Sequence, residues 1–178
     1  MSRVTPRVVV RRTSPNQSSR NGTRPSLIVL HSTESDQRAG SSDLAGVAEY
    51  LSRTAVQASS HVITDADGYS ARLVADSRKS WAQAAYNPMA LSIEQIGRAA
   101  SEHWKRDEYR ETARWIARWS KLWHIPIRVG AVSGGRVLRS GVVTHKMLGA
   151  AGGGHVDPGP RYSVPDVLAL ARFYKAKL

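Results

Sequence analysis

The sequence of 178 residues contains no cysteine. This absence excludes disulfide bonds, zinc sites built from thiolates and catalysis by a thiol, and it leaves the redox compartment open. A bound metal ion would therefore have to rely on the six histidines and on carboxylate side chains.

Long apolar runs are also missing. No segment approaches the roughly 20 consecutive apolar residues that a membrane-spanning helix needs. The run from Val8 to Val10 is far shorter than the apolar region of a Sec signal peptide. Arg11 and Arg12 resemble a twin-arginine pair, but no apolar stretch follows them before Leu27. The sequence predicts neither export by a Sec signal nor insertion into a membrane.

Acidic residues are scarce, since 14 Asp and Glu face 26 Lys and Arg and leave a net charge of +12. A field of this sign favours an anionic partner such as nucleic acid, a membrane surface or an acidic cell wall. The first 24 residues hold six arginines and no acidic residue, and for charge alone a solubilising arm is favoured over a dedicated binding surface. No helix-turn-helix, zinc-finger or RNA-binding motif is present, so no nucleic-acid partner is expected.

The composition, with 41% hydrophobic and 22% charged residues, is typical of one compact folded domain. Residues 1–25 are rich in Arg, Ser, Pro and Asn, which predicts an extended basic arm packed on the domain formed by residues 26–178. Predicted strands and helices alternate along the chain. This alternation predicts an α/β fold with a central mixed β-sheet flanked by helices.

Hydrophobic periodicity places the main elements. Leu27–Leu30 is an apolar run that ends at His31, as expected of a buried central strand. In the strand predicted at 91–96, alternation places Glu94 on one face, with Ser92 and Ile96. The other predicted elements are a hairpin formed by 61–64 and 70–75 around Asp67-Gly68, helices at 44–53, 106–123 and 165–177, and a glycine-rich loop at 149–160.

Five residues could carry chemistry, namely His31, Glu94, His145, His155 and Asp157. Each alone has an ordinary structural explanation. A catalytic zinc site, however, uses three His or carboxylate ligands and leaves a fourth position for water. His155 and Asp157 are one residue apart, so in an extended segment both can face the same cleft. From the residues alone, three histidine ligands are as reasonable as two histidines with Asp157.

Several motifs follow one another in a defined order from about residue 14 to about residue 174. They are Ser14-Pro15-Asn16 with Arg20, Leu27 to Thr33, Ser60 to Ile63 before Asp67-Gly68, Ser92-Ile93-Glu94, Thr144-His145, and His155 to Gly159. In this order they resemble the type 2 N-acetylmuramoyl-L-alanine amidases, relatives of phage endolysins and peptidoglycan recognition proteins. Several spaced motifs in order are far more specific than any one of them.

The resemblance implies a mechanism with assigned roles. His31, His145 and Asp157 match the zinc ligands, Glu94 matches the catalytic glutamate, and His155 matches a position that steadies the developing oxyanion. The implied reaction is hydrolysis of the amide between N-acetylmuramic acid and L-alanine in peptidoglycan. Zinc would polarise the carbonyl and activate water, while Glu94 would accept the proton.

Substrate contacts are predicted at three further residues. His61 lies beside the site in the family arrangement, although an ordinary strand histidine explains it equally well. Trp81 and Tyr86 lie in a loop near Glu94 and are predicted to line a glycan groove. The family often carries a histidine after the tryptophan that corresponds to Trp81, whereas in this sequence Ala82 and Gln83 follow Trp81. A tryptophan stripe at 115, 119 and 123 has helical spacing and is predicted to be core.

The resemblance also bears on biological setting. Small size, the missing Sec signal and the positive charge favour a monomeric endolysin, made in the host cytoplasm and acting on the cell wall after release. The alternative is a peptidoglycan-binding module without catalysis, because some peptidoglycan recognition proteins keep the fold and lack the third ligand. The presence of Asp157 favours catalysis.

Overall fold

The computed structural model describes residues 4–36, 41–100 and 103–178. Ten strands and three α-helices follow one another along these ranges. They are β1 (Val8–Arg11), β2 (Gln17–Ser19), β3 (Leu27–Ser32), α1 (Ser41–Tyr50), β4 (Val62–Thr64), β5 (Ser70–Arg72), β6 (Arg78–Ser80), β7 (Ala90–Gln95), α2 (Arg106–Trp123), β8 (Ala131–Ser133), β9 (Arg136–Arg139), β10 (Gly141–Thr144) and α3 (Val164–Lys175). Short 3₁₀ helices cover Thr54–Val56, Ala84–Met89 and His145–Gly152.

The centre of the fold is a six-stranded sheet in the order β1-β5-β4-β7-β3-β10. Strands β4, β7, β3 and β10 are parallel to one another, whereas β5 runs antiparallel to β4, and β1 runs parallel to β5. The sheet is therefore mixed and flanked by helices, which confirms the predicted fold class. The carboxyl ends of the four parallel strands meet at one edge of the sheet.

Strand β3 is buried along its whole length, and its side chains alternate between two cores. Ile28 and Leu30 pack with Trp115 and Trp119 in the core under α2 and α3. Leu27 and Val29 face the opposite side and pack against Tyr86 and Leu148. Each fully buried side chain of this kind contributes roughly 1.5–3 kcal/mol by leaving water.

The tryptophan stripe of α2 is core, as predicted. Trp115 and Trp119 are buried, and Trp123 is half-buried against the same cluster. Helix α2 keeps its predicted bounds and ends where His124 adopts a left-handed conformation with φ of 57°. No helix in the described ranges has both the length and the apolar character needed to cross a membrane.

Two predicted elements are shifted in the structure. Helix α1 begins at residue 41 and ends at Tyr50, three residues earlier than predicted. The prediction of a loop at 149–160 is wrong for residues 149–152, because the 3₁₀ helix that begins at His145 continues to Gly152. The chain kinks within that helix at Gly149, whose φ of 59° and ψ of −153° are not helical.

The N-terminal residues form part of the packed structure. Strand β1 pairs with β5 at the edge of the main sheet, and β2 pairs with β6. Ser14, Asn16 and Arg20 are buried. The Arg20 guanidinium donates hydrogen bonds to the carbonyl oxygens of Asp76, Pro88 and Ala90, which links the N-terminal segment to two later loops.

Candidate metal centre and active site

Strand register brings three of the predicted residues side by side. His31 lies opposite Glu94 in the parallel pair formed by β3 and β7. Leu30 lies opposite Thr144 in the parallel pair formed by β3 and β10, so His145 follows at the level of His31. Because parallel strands end at the same edge, Glu94, His31 and His145 form a row at the carboxyl end of the sheet.

Asp157 reaches this row from the loop after the 3₁₀ helix. Its backbone carbonyl accepts a hydrogen bond from Lys146 N at 3.1 Å, and Ser32 N donates to its Oδ2 at 3.1 Å. Two residues later, Gly159 adopts φ of 89°, and a Cβ atom there would lie 1.9 Å from the carbonyl oxygen of Ala99. Only glycine allows this approach, which fixes the loop that carries Asp157.

His31, His145 and Asp157 form a buried group whose donor atoms lie within 4.8 Å of one another. His145 Nδ1 lies 2.9 Å from His31 Nδ1 and 3.0 Å from Asp157 Oδ1, and His31 Nδ1 lies 3.7 Å from Asp157 Oδ2. A tetrahedral zinc ion with bonds of about 2.0–2.1 Å would hold its ligand atoms about 3.3 Å apart. The observed separations bracket that value.

The remaining ring nitrogens indicate which tautomers the two histidines adopt. His31 Nε2 faces Gln83 Oε1 at 3.2 Å, and His145 Nε2 faces the carbonyl oxygen of Gly152 at 2.9 Å. A carbonyl oxygen only accepts, so each Nε2 carries the hydrogen and each Nδ1 presents a lone pair. Two lone pairs and a carboxylate then point at one another, an arrangement that a bound cation stabilises. The residues present therefore fit a metal ion such as zinc.

The charge states agree with this donor set. Burial, together with repulsion from His145, lowers the pKa of His31 to about 3, so its ring is neutral at physiological pH. Burial alone would raise the pKa of Asp157. The close contact with His145 Nδ1, the nearby His31 and the Ser32 N–H together outweigh burial and hold that pKa below the usual value.

Glu94 is placed beside the group rather than within it. Its Oε1 lies 3.9 Å from His31 Nδ1, and among the described residues its buried Oε2 has no hydrogen-bond partner. Burial, followed by the negative charges of Asp157 and Glu34, raises the pKa of Glu94 to about 8. An unpaired carboxyl group of this kind is suited to exchanging a proton with a substrate.

His155 lies at the mouth of the site. Its exposed ring stacks on the ring of His145, with centroids 4.3 Å apart and planes at 18°. A cavity of about 250 Å³ opens over the group and is lined by His155, Trp81 and Glu94, as well as by His31, His145 and Asp157. The geometry thus places Asp157, and not His155, with the two buried histidines.

Two of the predicted substrate contacts are wrong. His61 is fully buried, where its ring nitrogens contact Ser92 Oγ and the Arg20 guanidinium. Tyr86 is also fully buried, and its hydroxyl accepts a hydrogen bond from Gly135 N. Neither side chain can reach a ligand in the cleft. Trp81 lines the cavity, and its contact with substrate stays a prediction.

Gln83 was not predicted as a site residue. It is fully buried and holds the ring of His31, although 52 residues separate the two. The only signal in the sequence was the departure from the family pattern after Trp81. A second cavity of about 400 Å³ was also not predicted, and it continues the cleft from Glu94 towards Val47 and Tyr50 of α1.

An α/β sheet that ends in two buried histidines, a carboxylate and a glutamate without a partner among the described residues presents a group that could hold a metal ion, as metal-dependent hydrolases do. The family described as N-acetylmuramoyl-L-alanine amidase matches residues 21–160. The match covers more than half of the sequence, so the chain belongs to this amidase family, which confirms the resemblance and the predicted class of enzyme. No curated protein matches the sequence.

Solved structures of amidases share the fold. The hydrolase AmiA of Staphylococcus aureus, solved in complex with its ligand, is 22% identical with a TM-score of 0.73, over 96% of this chain and 84% of that chain. AmpD is 17% identical with a TM-score of 0.65, over 90% and 93%. The N-acetylmuramoyl-L-alanine amidase LysC of Clostridium intestinale is 15% identical with a TM-score of 0.65, over 93% and 97%.

Proposed function

We propose that this protein is a zinc-dependent enzyme that hydrolyses the amide between N-acetylmuramic acid and L-alanine in bacterial peptidoglycan. The observation that carries the proposal is the convergence of two unprotonated Nδ1 atoms and the Asp157 carboxylate beside the unpaired Glu94. Membership of the N-acetylmuramoyl-L-alanine amidase family indicates which bond is cut.

The residues of the buried His31, His145 and Asp157 group and those beside it have separate roles in catalysis. A zinc ion held by His31, His145 and Asp157 would polarise the scissile carbonyl and lower the pKa of a water molecule towards about 7. Gln83 keeps the ring of His31 in the tautomer that the site requires. Glu94 accepts the proton of the attacking water and then delivers it to the amine of the departing L-alanine.

His155 and Trp81 act on the substrate side of the cavity. The His155 ring is held by stacking on His145, and its free edge donates a hydrogen bond to the oxyanion that forms on the former carbonyl. The Trp81 indole is fixed by donating to Ser18 Oγ at 2.9 Å. A fixed, half-exposed indole beside the cavity offers a flat surface on which a sugar ring packs.

The second cavity gives the stem peptide a place to lie. It begins at Glu94 and extends over α1, where Val47, Tyr50 and Leu51 supply apolar walls. Gly46 also lines it, and a Cβ atom at this position would meet nothing within 4 Å. The cleft is therefore open on the side of α1, and the chain that follows L-alanine can cross the helix at Gly46.

We further propose that the protein acts as a monomeric endolysin. The net charge of +12 favours association with an anionic cell wall. The endolysin amidase LysCS of Clostridium intestinale has the same fold, with 14% identity and a TM-score of 0.65. Lysis of intact cells by externally added protein, together with the absence of lysis by the Glu94→Gln variant, would support this role.

The catalytic proposal is tested on purified peptidoglycan. Zinc-loaded protein should release glycan strands from stem peptides and create new L-alanine amino termini, detected by mass analysis of the digest. Glu94→Gln should abolish most of this release, whereas Glu49→Gln on the exposed face of α1 should not. Binding to peptidoglycan without release by the zinc-loaded wild type would instead identify a binding module.

A further inference from the structure

A group of arginines lies at the β1 edge of the sheet, away from the catalytic row. Arg11 of β1 and Arg72 of β5 are direct partners in the strand register. Two neighbouring cavities of about 280 and 330 Å³ share both residues, and Arg118 of α2 lines the first while Arg12 lines the second. No carboxylate is among the described residues that line either cavity. We call these four arginines the arginine surface.

The arginine surface combines one fixed guanidinium with three free ones. Arg72 Nη1 forms an ion pair with Asp76 Oδ1 at 2.7 Å, and the Arg72 guanidinium carbon lies 5.2 Å from the centre of the Trp115 ring. Arg11, Arg12 and Arg118 are exposed, and in the part of the chain that the structure describes they make no ion pair. The surface therefore keeps a net charge of about three after Arg72 is balanced by Asp76.

This placement differs from that of a merely solubilising charge. Like charges directly opposite one another on neighbouring strands destabilise a sheet. Arg11 and Arg72 are such a pair, and Arg118 adds a third positive charge beside them across the same cavity. An anion bound between these guanidinium groups would remove the repulsion and gain charge-assisted hydrogen bonds.

Arg11, Arg72 and Arg118 of the arginine surface lie on the face of the sheet opposite the catalytic row. Arg72 is in register with Val62, which packs in the core with Trp115 under α2. Leu30 and Ile93 face that same core, so the alternation of strand residues directs His31 and Glu94 to the other face. A ligand held by the arginines would leave the catalytic cleft accessible.

We propose that the arginine surface binds the phosphodiester groups of a polyol-phosphate polymer attached to the cell wall. The choice of polymer rests on the proposed function, because a wall amidase works on peptidoglycan, to which phosphate-rich polymers can be covalently attached. Two adjacent small cavities suit successive phosphate groups of a flexible chain. Single-stranded nucleic acid fits less well, since it binds through stacking on exposed aromatic rings, and Trp115 is only 3% exposed.

Binding is measured directly with soluble poly(glycerol phosphate) by titration calorimetry on the full zinc-loaded chain. The test variant is Arg11→Gln/Arg118→Gln. The matched control is Arg136→Gln/Arg139→Gln on the exposed β9 strand, which removes the same charge elsewhere. We expect the test variant to lose on the order of tenfold in affinity with a shallower salt dependence, and the control to stay within about twofold. The single variant Arg118→Gln is measured as well, and thermal unfolding of every variant shows whether a loss of binding reflects misfolding.

The outcomes separate this proposal from its rivals. An equal loss of affinity for poly(glycerol phosphate) in both double variants would show that only net charge matters and would overturn the proposal. A single-stranded oligonucleotide that binds as tightly, and loses affinity in the same variant, would overturn the choice of ligand. Amide release from polymer-free peptidoglycan should be equal for wild type and test variant. Absence of release from any substrate would contradict the proposed function and leave the binding result intact.

Discussion

Replacing Glu94 with glutamine should lower activity and raise the stability of the metal-free protein. In the structure the Glu94 carboxyl is largely buried, its Oε2 has no partner among the described residues, and Asp157 and Glu34 add negative charge nearby. Glutamine keeps the shape of the side chain and removes both the proton exchange and the charge. The two effects therefore have opposite signs.

The size of each effect follows from the structure. Loss of a positioned general base costs about 10²- to 10⁴-fold in rate. For stability, burial raises the pKa of Glu94 from 4.5 to about 8, which corresponds to an unfavourable ionisation of roughly 5 kcal/mol at most. Because the folded-state pKa is raised, this cost is absent below pH 4.5, grows as the pH rises, and is complete above about pH 8.

The assay compares urea unfolding of chelator-treated wild type and Glu94→Gln at pH 5 and pH 9. The free energy of unfolding should be similar for both proteins at pH 5, whereas the variant should be more stable by several kcal/mol at pH 9. The exposed Glu49→Gln variant controls for loss of a surface charge. Rebinding of zinc should reduce the advantage of glutamine, because a nearby cation stabilises the carboxylate.

A variant that is less stable than wild type at pH 9 would refute the view of Glu94 as a destabilising buried carboxylate. Full amide release by Glu94→Gln would refute its role as proton acceptor. Loss of activity with loss of stability at both pH values would indicate a structural role, since removal of a functional charge predicts the reverse.

Three further predictions concern the metal and the cleft. Asp157→Ala should lose zinc, measured by elemental analysis, and with it detectable amide release; unchanged zinc content would mean that the ligand set is wrong. Gln83→Leu should weaken zinc binding by about 10- to 100-fold in a competition titration, while Gln57→Leu at an exposed turn leaves it unchanged. Gly46→Leu should fill the open space over α1 and lower amide release by about tenfold or more. Thermal stability should stay equal or rise, because glycine costs about 0.5–1 kcal/mol in a helix. Unaltered release would place the stem peptide elsewhere.

Most of the central fold could be predicted because its elements carry strong periodic signals. The apolar run at Leu27–Leu30 and the alternation around Ile93 correspond to β3 and β7, and the pattern at 106–123 corresponds to α2. Strand β10 and the short outer strands were not predicted. Their three or four residues are held by neighbouring strands rather than by a pattern of their own, so local sequence carries little signal for them.

The candidate site divides in the same way. Motif order identified the residues of the buried group, but only the parallel register of β7, β3 and β10 aligns Glu94, His31 and His145. His61 was predicted from the family arrangement, and Tyr86 from its position near Glu94 along the chain. Both side chains point into the interior, and neither kind of signal measures burial.

The sequence by itself determined the available chemistry, because a chain without cysteine binds zinc through histidine and carboxylate groups. The residue types alone left open whether Asp157 or His155 completes the group with His31 and His145, and only the family resemblance favoured Asp157. The tertiary structure decided this choice: backbone contacts from Ser32 and Lys146 direct Asp157 into the buried group, and His155 is left stacked at its mouth. Such a choice depends on where distant strands and a loop meet in space, which short-range sequence patterns do not encode.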